Sequence, residues 1–335
     1  MTISHMNEKG RTTPLLFDQS INFSPYGLMT QSPSSRPATN APTPPQIFDR
    51  ALLQARRARA AQQKATSDFL LERTCADFID RLDLIKRQFD MALILGAHNS
   101  DLAAKLTTTG KCRFAVSADA CPALLAQTSG TRIAIDEEFL PLKPEALDLI
   151  VSPLTLQWVN DLPGTLSQIR ASLKPDGLFV GALLGGDSLH ELRHAFLAAE
   201  TEIMGGATPR VAPFADIRAL GALLQRAGFA LPVADRDLVN VRYASAIDLM
   251  SDLRAMGAAN MLRDRSRTPL KRSVLARAVE IYHDQFGDED GRIPASFEII
   301  HMSGWAPHES QQQPLKPGSA EISLADALEH NPKKL

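Results

Sequence analysis

One stretch, residues 136–193, decides the fold: DEEFLPLKPEALDLIVSPLTLQWVNDLPGTLSQIRASLKPDGLFVGALLGGDSLHELR. Two apolar runs in it, LDLIVSPL (147–154) and LFVGALLG (178–185), enclose a segment with helical periodicity at 162–173. Continuous apolar runs separated by a helix are typical of parallel strands that are covered on both faces of a sheet. After the helix comes KPDG (174–177), whose Pro and Gly predict a clean break before the second strand.

The same alternation of apolar runs and helical segments extends along most of the chain. Upstream, the strand-like runs are MALILG (91–96), CRFAVSA (112–118) and TRIAI (131–135), and downstream they are LVNVRY (238–243) and SFEIIHMSGW (296–305). Right-handed crossovers between parallel strands produce a doubly wound sheet. We therefore predict a Rossmann-like α/β fold with seven strands, of which the seventh is antiparallel.

Helices are predicted around and within this pattern. Two helices in 48–89 precede the first strand, and helices at about 188–204 and 213–227 follow the fifth. Residues 244–292 contain two more helical segments, which separate the last two strands. Open α/β sheets bind ligands at their carboxyl edge, and we expect this helical insertion to lie above that edge as a substrate-facing lid.

The two ends of the chain differ in composition from its centre. QSPSSRPATNAPTPP (31–45) is dense in Ser, Thr and Pro, which cannot build a packed core. We therefore predict a disordered arm over 1–46, one α/β domain over 47–311 and a loosely ordered tail over 312–335.

Charge and cysteine usage narrow the classes of function. Lys plus Arg number 36 against 38 Asp plus Glu, so the formal net charge of -2 offers no general attraction for nucleic acid. Arg56, Arg57 and Arg59 are interpreted as a solvated helix surface, with a partner-binding face as the alternative. Scattered cysteines without metal-ligand or C-x-x-C spacing are expected to be reduced thiols. They are Cys75, Cys112 and Cys121.

Membrane and targeting signals are weak throughout the sequence. Every apolar run ends well before the roughly 18 to 20 residues that a spanning helix needs. Residues 1–45 contain neither the apolar region of a secretory signal nor the basic density of a mitochondrial presequence. A bacterial cytoplasmic location is therefore expected, with the mitochondrial matrix as the alternative, and peripheral association with a membrane stays open.

Four motifs in the deciding stretch resemble class I S-adenosylmethionine-dependent methyltransferases: D-x-E-x-L-P, D-L-I-V-S, L-x-W-V-N-D-L-P and L-K-P-D-G-x-F, in that order. More narrowly, they resemble the group that contains the malonyl-carrier-protein O-methyltransferase of biotin synthesis and a mitochondrial complex I assembly factor that acts as a protein-arginine hydroxylase. The likeness to the assembly-factor branch extends through IFDR (47–50), GGDSLHELR (185–193), DEDGRIPASF (288–297) and GWAPHESQ (304–311).

The resemblance implies a cofactor-binding turn after the first strand. In the family, an acidic residue stands two positions before G-x-G-x-G, where close approach to the cofactor tolerates only small residues. Here Ile94 stands in place of the acid, and only Gly96 keeps the glycine pattern. We expect Leu95, Gly96 and Ala97 to line the cofactor, with the bulky His98 beside them.

The other cofactor contacts that the resemblance implies follow strands two to four. Ser117 stands at the predicted end of the second strand, and Asp119 lies two residues further, as a ribose contact or as the cap of the next helix. Asp136 and Glu137 resemble the loop that hydrogen-bonds the adenine. The expected contacts after the fourth strand are Ser152, Gln157 and Trp158.

Three functions stay open, all with S-adenosylmethionine as the implied cofactor of the fold. The first is an S-adenosylmethionine-dependent methyltransferase that acts on a protein partner in respiratory complex I assembly, since methyl transfer needs alignment rather than a set of catalytic side chains. The second is a protein-arginine hydroxylase-like assembly factor, and the third is a non-catalytic binding module with a degenerate cofactor site. Family members often carry His where this chain has Gln157, so no catalytic residue is assigned, and no metal site is predicted.

Overall fold

The structure, a computed structural model, describes residues 45–62, 68–96 and 101–312, which form seven strands and nine α-helices. The strands are β1 (Phe89–Leu95), β2 (Cys112–Asp119), β3 (Thr131–Ala134), β4 (Leu147–Pro153), β5 (Leu173–Leu184), β6 (Ala230–Tyr243) and β7 (Ile293–Trp305). The helices are α1 (Arg50–Ala61), α2 (Phe69–Asp83), α3 (Leu102–Thr108), α4 (Pro122–Leu125), α5 (Leu162–Ser172), α6 (His190–Met204), α7 (Ile217–Arg226), α8 (Ala246–Ala255) and α9 (Arg272–Phe286).

Some sequence predictions lie outside the described residues. They concern nearly all of the amino-terminal arm over 1–46, all but the first residue of the tail over 312–335, and the turn residues Ala97 and His98. The arm, the tail and these two residues therefore stay predictions.

The seven strands form one sheet in the order β3-β2-β1-β4-β5-β7-β6. Strands β1 to β5 run parallel, and β7 is antiparallel to both β5 and β6. Every residue of β4 is buried, as expected for a central strand with helices on both faces. The predicted Rossmann-like sheet with an antiparallel seventh strand is confirmed. The order reverses beside β1, and this switch point opens a crevice at the carboxyl edge of the sheet.

Successive side chains along each strand point to opposite faces of the sheet, and the apolar ones pack into two hydrophobic cores, one on each face. Ile94 packs into the core beneath α2, α3 and α6, whereas Leu95 packs into the core beneath α5 and α7. Helix α5 begins where the Asp161 carboxylate accepts the Gly164 N–H at 2.8 Å, with a proline in its first turn. The two layers therefore hold the ends of β1 and β4 rigidly at the crevice.

Strands β5 and β6 begin earlier than the sequence predicts. The KPDG run at 174–177 lies within β5 rather than in a break before it, because Leu173 already pairs with Leu147. A register shift and the left-handed conformation of Asp176 (φ 61°) take up the Pro and Gly. Residues 230 and 233–237 pair with β7 although Pro232 and several charges hide the strand pattern.

Two helices begin later than predicted. Helix α6 begins at His190 rather than near residue 188, because Leu189 adopts a left-handed conformation (φ 54°) that does not continue a helix. Helix α7 begins at Ile217 rather than at Pro213, because the Asp216 carboxylate accepts the backbone N–H groups of Arg218 and Ala219.

The helical insertion between β6 and β7 is confirmed, but only part of it reaches the crevice. Helix α9 packs mainly against α6 and contributes no residue to the cavity at the carboxyl edge. The segment after α8 lies at that edge and joins the amino-terminal segment, since the Asp49 N–H donates to the Met261 carbonyl at 2.9 Å and the Arg263 N–H donates to the Ile47 carbonyl at 2.9 Å. The cover over the crevice is thus built from two parts of the chain.

Candidate cofactor and substrate site

A cavity lies at the carboxyl edge of β4 and β5. It is lined by Leu154 and Leu184 and by Gln157 and Trp158, which belong to a short 3-10 helix after β4. Helix α1, the start of α2 and the segment 255–258 enclose it from above. Most of the lining is apolar, so the few polar groups that face this cavity determine what it can bind.

Next to the cavity, a buried arginine joins two buried carboxylates. The Arg57 guanidinium donates to the Asp119 carboxylate at 2.9 Å and lies 3.7 Å from the Glu137 carboxylate. Arg57 is 5% exposed, and Asp119 and Glu137 are fully buried. Charges at this depth are tolerated only when they are paired and hydrogen-bonded, so each acid depends on the α1 arginines.

A second arginine of the same helix binds the neighbouring acids. Arg50 donates to the Asp136 carboxylate at 2.8 Å, to the Glu137 carboxylate and to the Trp158 carbonyl at 3.2 Å. Burial lowers the pKa of Arg50, but the charges of Glu137 and Asp136 outweigh that effect and hold the pKa above its ordinary value. Arg50 therefore stays charged and ties α1 to the loops after β3 and β4.

The interpretation of the Arg56, Arg57 and Arg59 cluster as a solvated surface is wrong for two of its members. Arg57 points into the sheet edge, and Arg56 donates to the Asn260 carbonyl, whereas Arg59 is exposed. One sequence feature could have indicated a shared role for Arg50 and Arg57: they are seven residues apart and so lie on one face of a helix. Their acidic partners are remote in sequence, and the pairing was therefore missed.

Gly96 joins the turn after β1 to this charged cluster. It adopts a left-handed conformation (φ 81°), and a Cβ at this position would collide with the Thr155 side chain. The Thr155 hydroxyl in turn donates to the Glu137 carboxylate at 3.3 Å. The ends of β1 and β4 and the loop after β3 thus meet at one point, and only glycine fits there.

The expected cofactor residues divide into those at the crevice and those in the sheet interior. Leu95 and Ser152 are fully buried inside β1 and β4. Ser117 is also interior: β2 ends at Asp119, so the prediction that Ser117 stands at the strand end is wrong. Asp119 does not cap α4 either, because its carboxylate accepts the N–H of Cys121, the residue before that helix.

Trp158 separates the cavity from a second one. Its ring makes edge-on contacts with Phe48 and Phe214, at centroid distances of 5.6 Å and 6.0 Å. Trp158 lines both cavities, and the second lies between α6, α8 and the segment 210–214. The indole is therefore a rigid shared wall, held in place by aromatic neighbours from the amino-terminal segment and from the loop before α7.

Part of S-adenosylmethionine, the cofactor that this fold implies, matches the polar groups at the edge. The Asp136 carboxylate uses only Oδ1 for its contacts within the described chain, and its side chain is 43% exposed, so Oδ2 is available to accept a hydrogen bond from an adenine amine. Asp119 stands at the end of β2, but it is fully buried, and its two carboxylate oxygens accept from the Cys121 N–H and from Arg57. On the amino-acid side, the core residue Ile94 offers no acceptor. The polar groups at this edge therefore fit the adenine, through Asp136.

Other classes of site find less support in the described ranges. Residues 45–62, 68–96 and 101–312 contain no group of three or more His, Cys, Asp and Glu side chains arranged to hold a metal ion. The three cysteines are buried, and burial raises the pKa of Cys112 to about 11. None of the helices in these ranges combines the length and apolar character that crossing a membrane requires.

Comparison with known proteins gives a consistent family. The profile of a methyltransferase-domain family matches residues 54–232. The protein named arginine-hydroxylase NDUFAF5, mitochondrial, is 40% identical in Homo sapiens over 89% of this chain and 88% of that protein. In Danio rerio it is 38% identical over 84% and 89%. Malonyl-acyl-carrier-protein O-methyltransferase of Gallionella capsiferriformans is 30% identical over 78% of this chain and 92% of that protein.

Proposed function

The chain belongs to the class I S-adenosylmethionine-dependent methyltransferase family, and from this membership we propose that it binds S-adenosylmethionine and acts on an arginine side chain of a partner protein in respiratory complex I assembly. The observation that carries the proposal is the 40% identity to a relative named arginine-hydroxylase over 89% of this chain. Similarity over that length includes the elements that build the crevice as well as those that build the sheet.

The cofactor part of the proposal rests on Asp136, whose Oδ2 accepts a hydrogen bond from the adenine amine. Asp119 and Glu137 are buried behind it and hold the α1 arginines in place. When bound, S-adenosylmethionine supplies an electrophilic methyl group.

The residues of this chain then act by binding and by excluding water. Helix α1 and the segment 255–258 cover the cavity, and Trp158 closes its side wall. A water-poor site strengthens each hydrogen bond made inside it, and alignment in such a site lowers a barrier without a dedicated catalytic side chain. Gly96, Leu95, Ser117 and Ser152 serve this proposal as structural support at the sheet edge rather than as direct contacts.

Hydroxylation of the arginine is the second candidate for the chemistry. It is favoured by the name of the relatives that share 38% to 40% identity with this chain. Insertion of an oxygen atom into a C–H bond consumes dioxygen and an electron donor, with the other oxygen leaving as water. The two candidates share the same substrate side chain and differ in the group that is added.

The cellular place of this activity is part of the proposal. The relatives in question are named mitochondrial. We propose the cytoplasmic face of the membrane that holds complex I, with the mitochondrial matrix as the alternative and peripheral membrane association as a consequence of the partner.

Peptide mapping of complex I by mass spectrometry tests the proposal. Complex I is isolated from cells with and without this gene, and its arginine-containing peptides are compared. The proposal expects one arginine to carry an added methyl group or an added oxygen atom only when the gene is present, and the mass difference selects between the two chemistries. Identical arginine peptides from both strains would refute an arginine-modifying function.

A further inference from the structure

A buried acceptor in the cavity has no hydrogen-bond partner within the described chain. The Gln157 side-chain nitrogen donates to the Leu154 carbonyl at 2.8 Å, which fixes the orientation of the amide because a carbonyl cannot accept from the amide oxygen. Oε1 is thereby left buried and unpaired among the described residues. A buried acceptor without a hydrogen-bond partner is costly, so it calls for a functional explanation.

The surroundings of this oxygen indicate the kind of ligand that would satisfy it. Gln157 lines the cavity together with Trp158. The remaining wall is mainly aliphatic, with Leu154, Leu184 and other apolar residues. An amide oxygen beside an indole suits a planar cation that carries several N–H donors. The aliphatic wall suits a hydrocarbon stem.

Arg57 lines the same cavity, but its charge is directed elsewhere. Its guanidinium bonds to Asp119 and approaches Glu137, two acids that are fully buried. The cavity therefore does not present an uncompensated positive charge to an incoming cation. A second guanidinium can enter it without direct repulsion, because opposite charges already surround the first.

We propose that Gln157 Oε1 is the acceptor that binds the guanidinium of the substrate arginine in this cavity, and that this contact selects arginine over neutral side chains. The inference rests on the proposed arginine substrate and adds the residue that recognises it. Gln157 acts here as a specificity-determining residue. It accepts one N–H from the substrate while its own N–H group stays bonded to Leu154.

The proposal also sets a rule for what can replace Gln157. The position requires one donor directed at the Leu154 carbonyl and one acceptor that the described chain leaves without a partner. A neutral histidine has one nitrogen of each kind, so Gln157→His keeps both functions. Methionine has a similar length and neither function, so Gln157→Met removes the acceptor with little change in volume.

Calorimetric titration of the full chain with n-butylguanidinium tests the inference, with n-butylurea as the neutral comparison ligand. Wild type and Gln157→His are expected to bind the guanidinium more tightly than the urea, and Gln157→Met is expected to bind it about tenfold more weakly than wild type, as loss of one charge-assisted hydrogen bond predicts. Gln225→Met on the exposed face of α7 is the matched control and should bind like wild type.

S-adenosylhomocysteine is titrated into the same variants, which separates this inference from the proposed function. Unchanged S-adenosylhomocysteine binding in Gln157→Met, with weakened guanidinium binding, supports the inference. Loss of S-adenosylhomocysteine binding with unchanged guanidinium binding would assign Gln157 to the cofactor and overturn it. Absence of guanidinium binding in the wild type would overturn it as well, whereas the proposed function is judged separately by the complex I peptide map.

Discussion

At the scale of single residues, the charged cluster beneath α1 is a largely buried network of ion pairs. Two guanidiniums, Arg50 and Arg57, lie among three carboxylates, Asp119, Asp136 and Glu137. Breaking a buried ion pair by removing one partner is costly because it leaves an uncompensated charge, whereas an exposed pair contributes little. Because Arg57 is buried, substituting it tests whether these ion pairs stabilise the fold.

Arg57→Met is predicted to lower the free energy of unfolding by about 3 kcal/mol, because the Asp119 carboxylate would lose its buried cation. Urea unfolding followed by circular dichroism measures the loss. Arg59→Met, on the exposed side of the same helix, is the control and should change the free energy by no more than about 0.5 kcal/mol. Equal losses in the two variants would show that Arg57 does not carry a buried charge pair.

His301 is a second buried titratable residue, remote from the crevice. It lies on β7 against Phe78 of α2, and neither ring nitrogen has a hydrogen-bond partner within the described chain. Burial lowers the pKa of His301, and the nearby charge of Arg81 lowers it further, against the raising effects of Asp235, Asp77 and Asp237. The folded protein therefore holds this imidazole neutral.

A pH dependence of stability follows from the lowered pKa. The unfolded chain binds a proton near the ordinary value of 6.5 and the folded chain only at lower pH, so the contribution of His301 is complete above 6.5 and is lost as pH falls toward the folded pKa. Urea unfolding below pH 6.5 should give a steeper loss of stability for the wild type than for His301→Leu. Parallel pH profiles would contradict this account.

At the scale of elements, the sequence predicted the central strands well because β1, β4 and the second half of β5 are nearly continuous apolar runs. The start of β6 was missed because Asp235 and Asp237 face Arg81 and Arg73 of α2, so that a tertiary contact rather than a local pattern holds the strand there. The role of α1 was missed for the same reason. In the sequence its arginines resemble a solvated helix surface. Only in the folded chain do the acids near the ends of β2 and β3 contact them.

Two deletions test whether α1 is part of the fold. Removal of residues 1–44 is predicted to leave the free energy of unfolding unchanged, since their Ser, Thr and Pro-rich composition cannot contribute to a core. Removal of residues 1–61 also removes Arg50 and Arg57 and should abolish cooperative unfolding or lower its free energy by several kcal/mol. Loss of cooperative unfolding in the shorter deletion would contradict the proposed boundary.

At the scale of the whole molecule, the fold and the location of the crevice could be predicted from the sequence. The hydrogen bonds and ion pairs between the side chains of the crevice could not. The order of strands places an opening beside β1 whatever residues fill the turns. Which polar groups face that opening depends on contacts between residues far apart in sequence, such as Arg50 with Asp136. The unpaired oxygen of Gln157 likewise became visible only through its contact with the Leu154 carbonyl.

Calorimetric titration of the full chain with S-adenosylmethionine tests the central claim, that the carboxyl-edge crevice is a cofactor site. The account predicts micromolar binding that Asp136→Ala weakens about tenfold, equivalent to roughly 1.4 kcal/mol, through loss of the free carboxylate oxygen. Glu202→Ala is the matched control, since it also removes an ion-paired carboxylate, on the exposed face of α6, and it should bind like wild type. No binding heat at millimolar S-adenosylmethionine, or equal affinity in wild type and Asp136→Ala, would contradict the account.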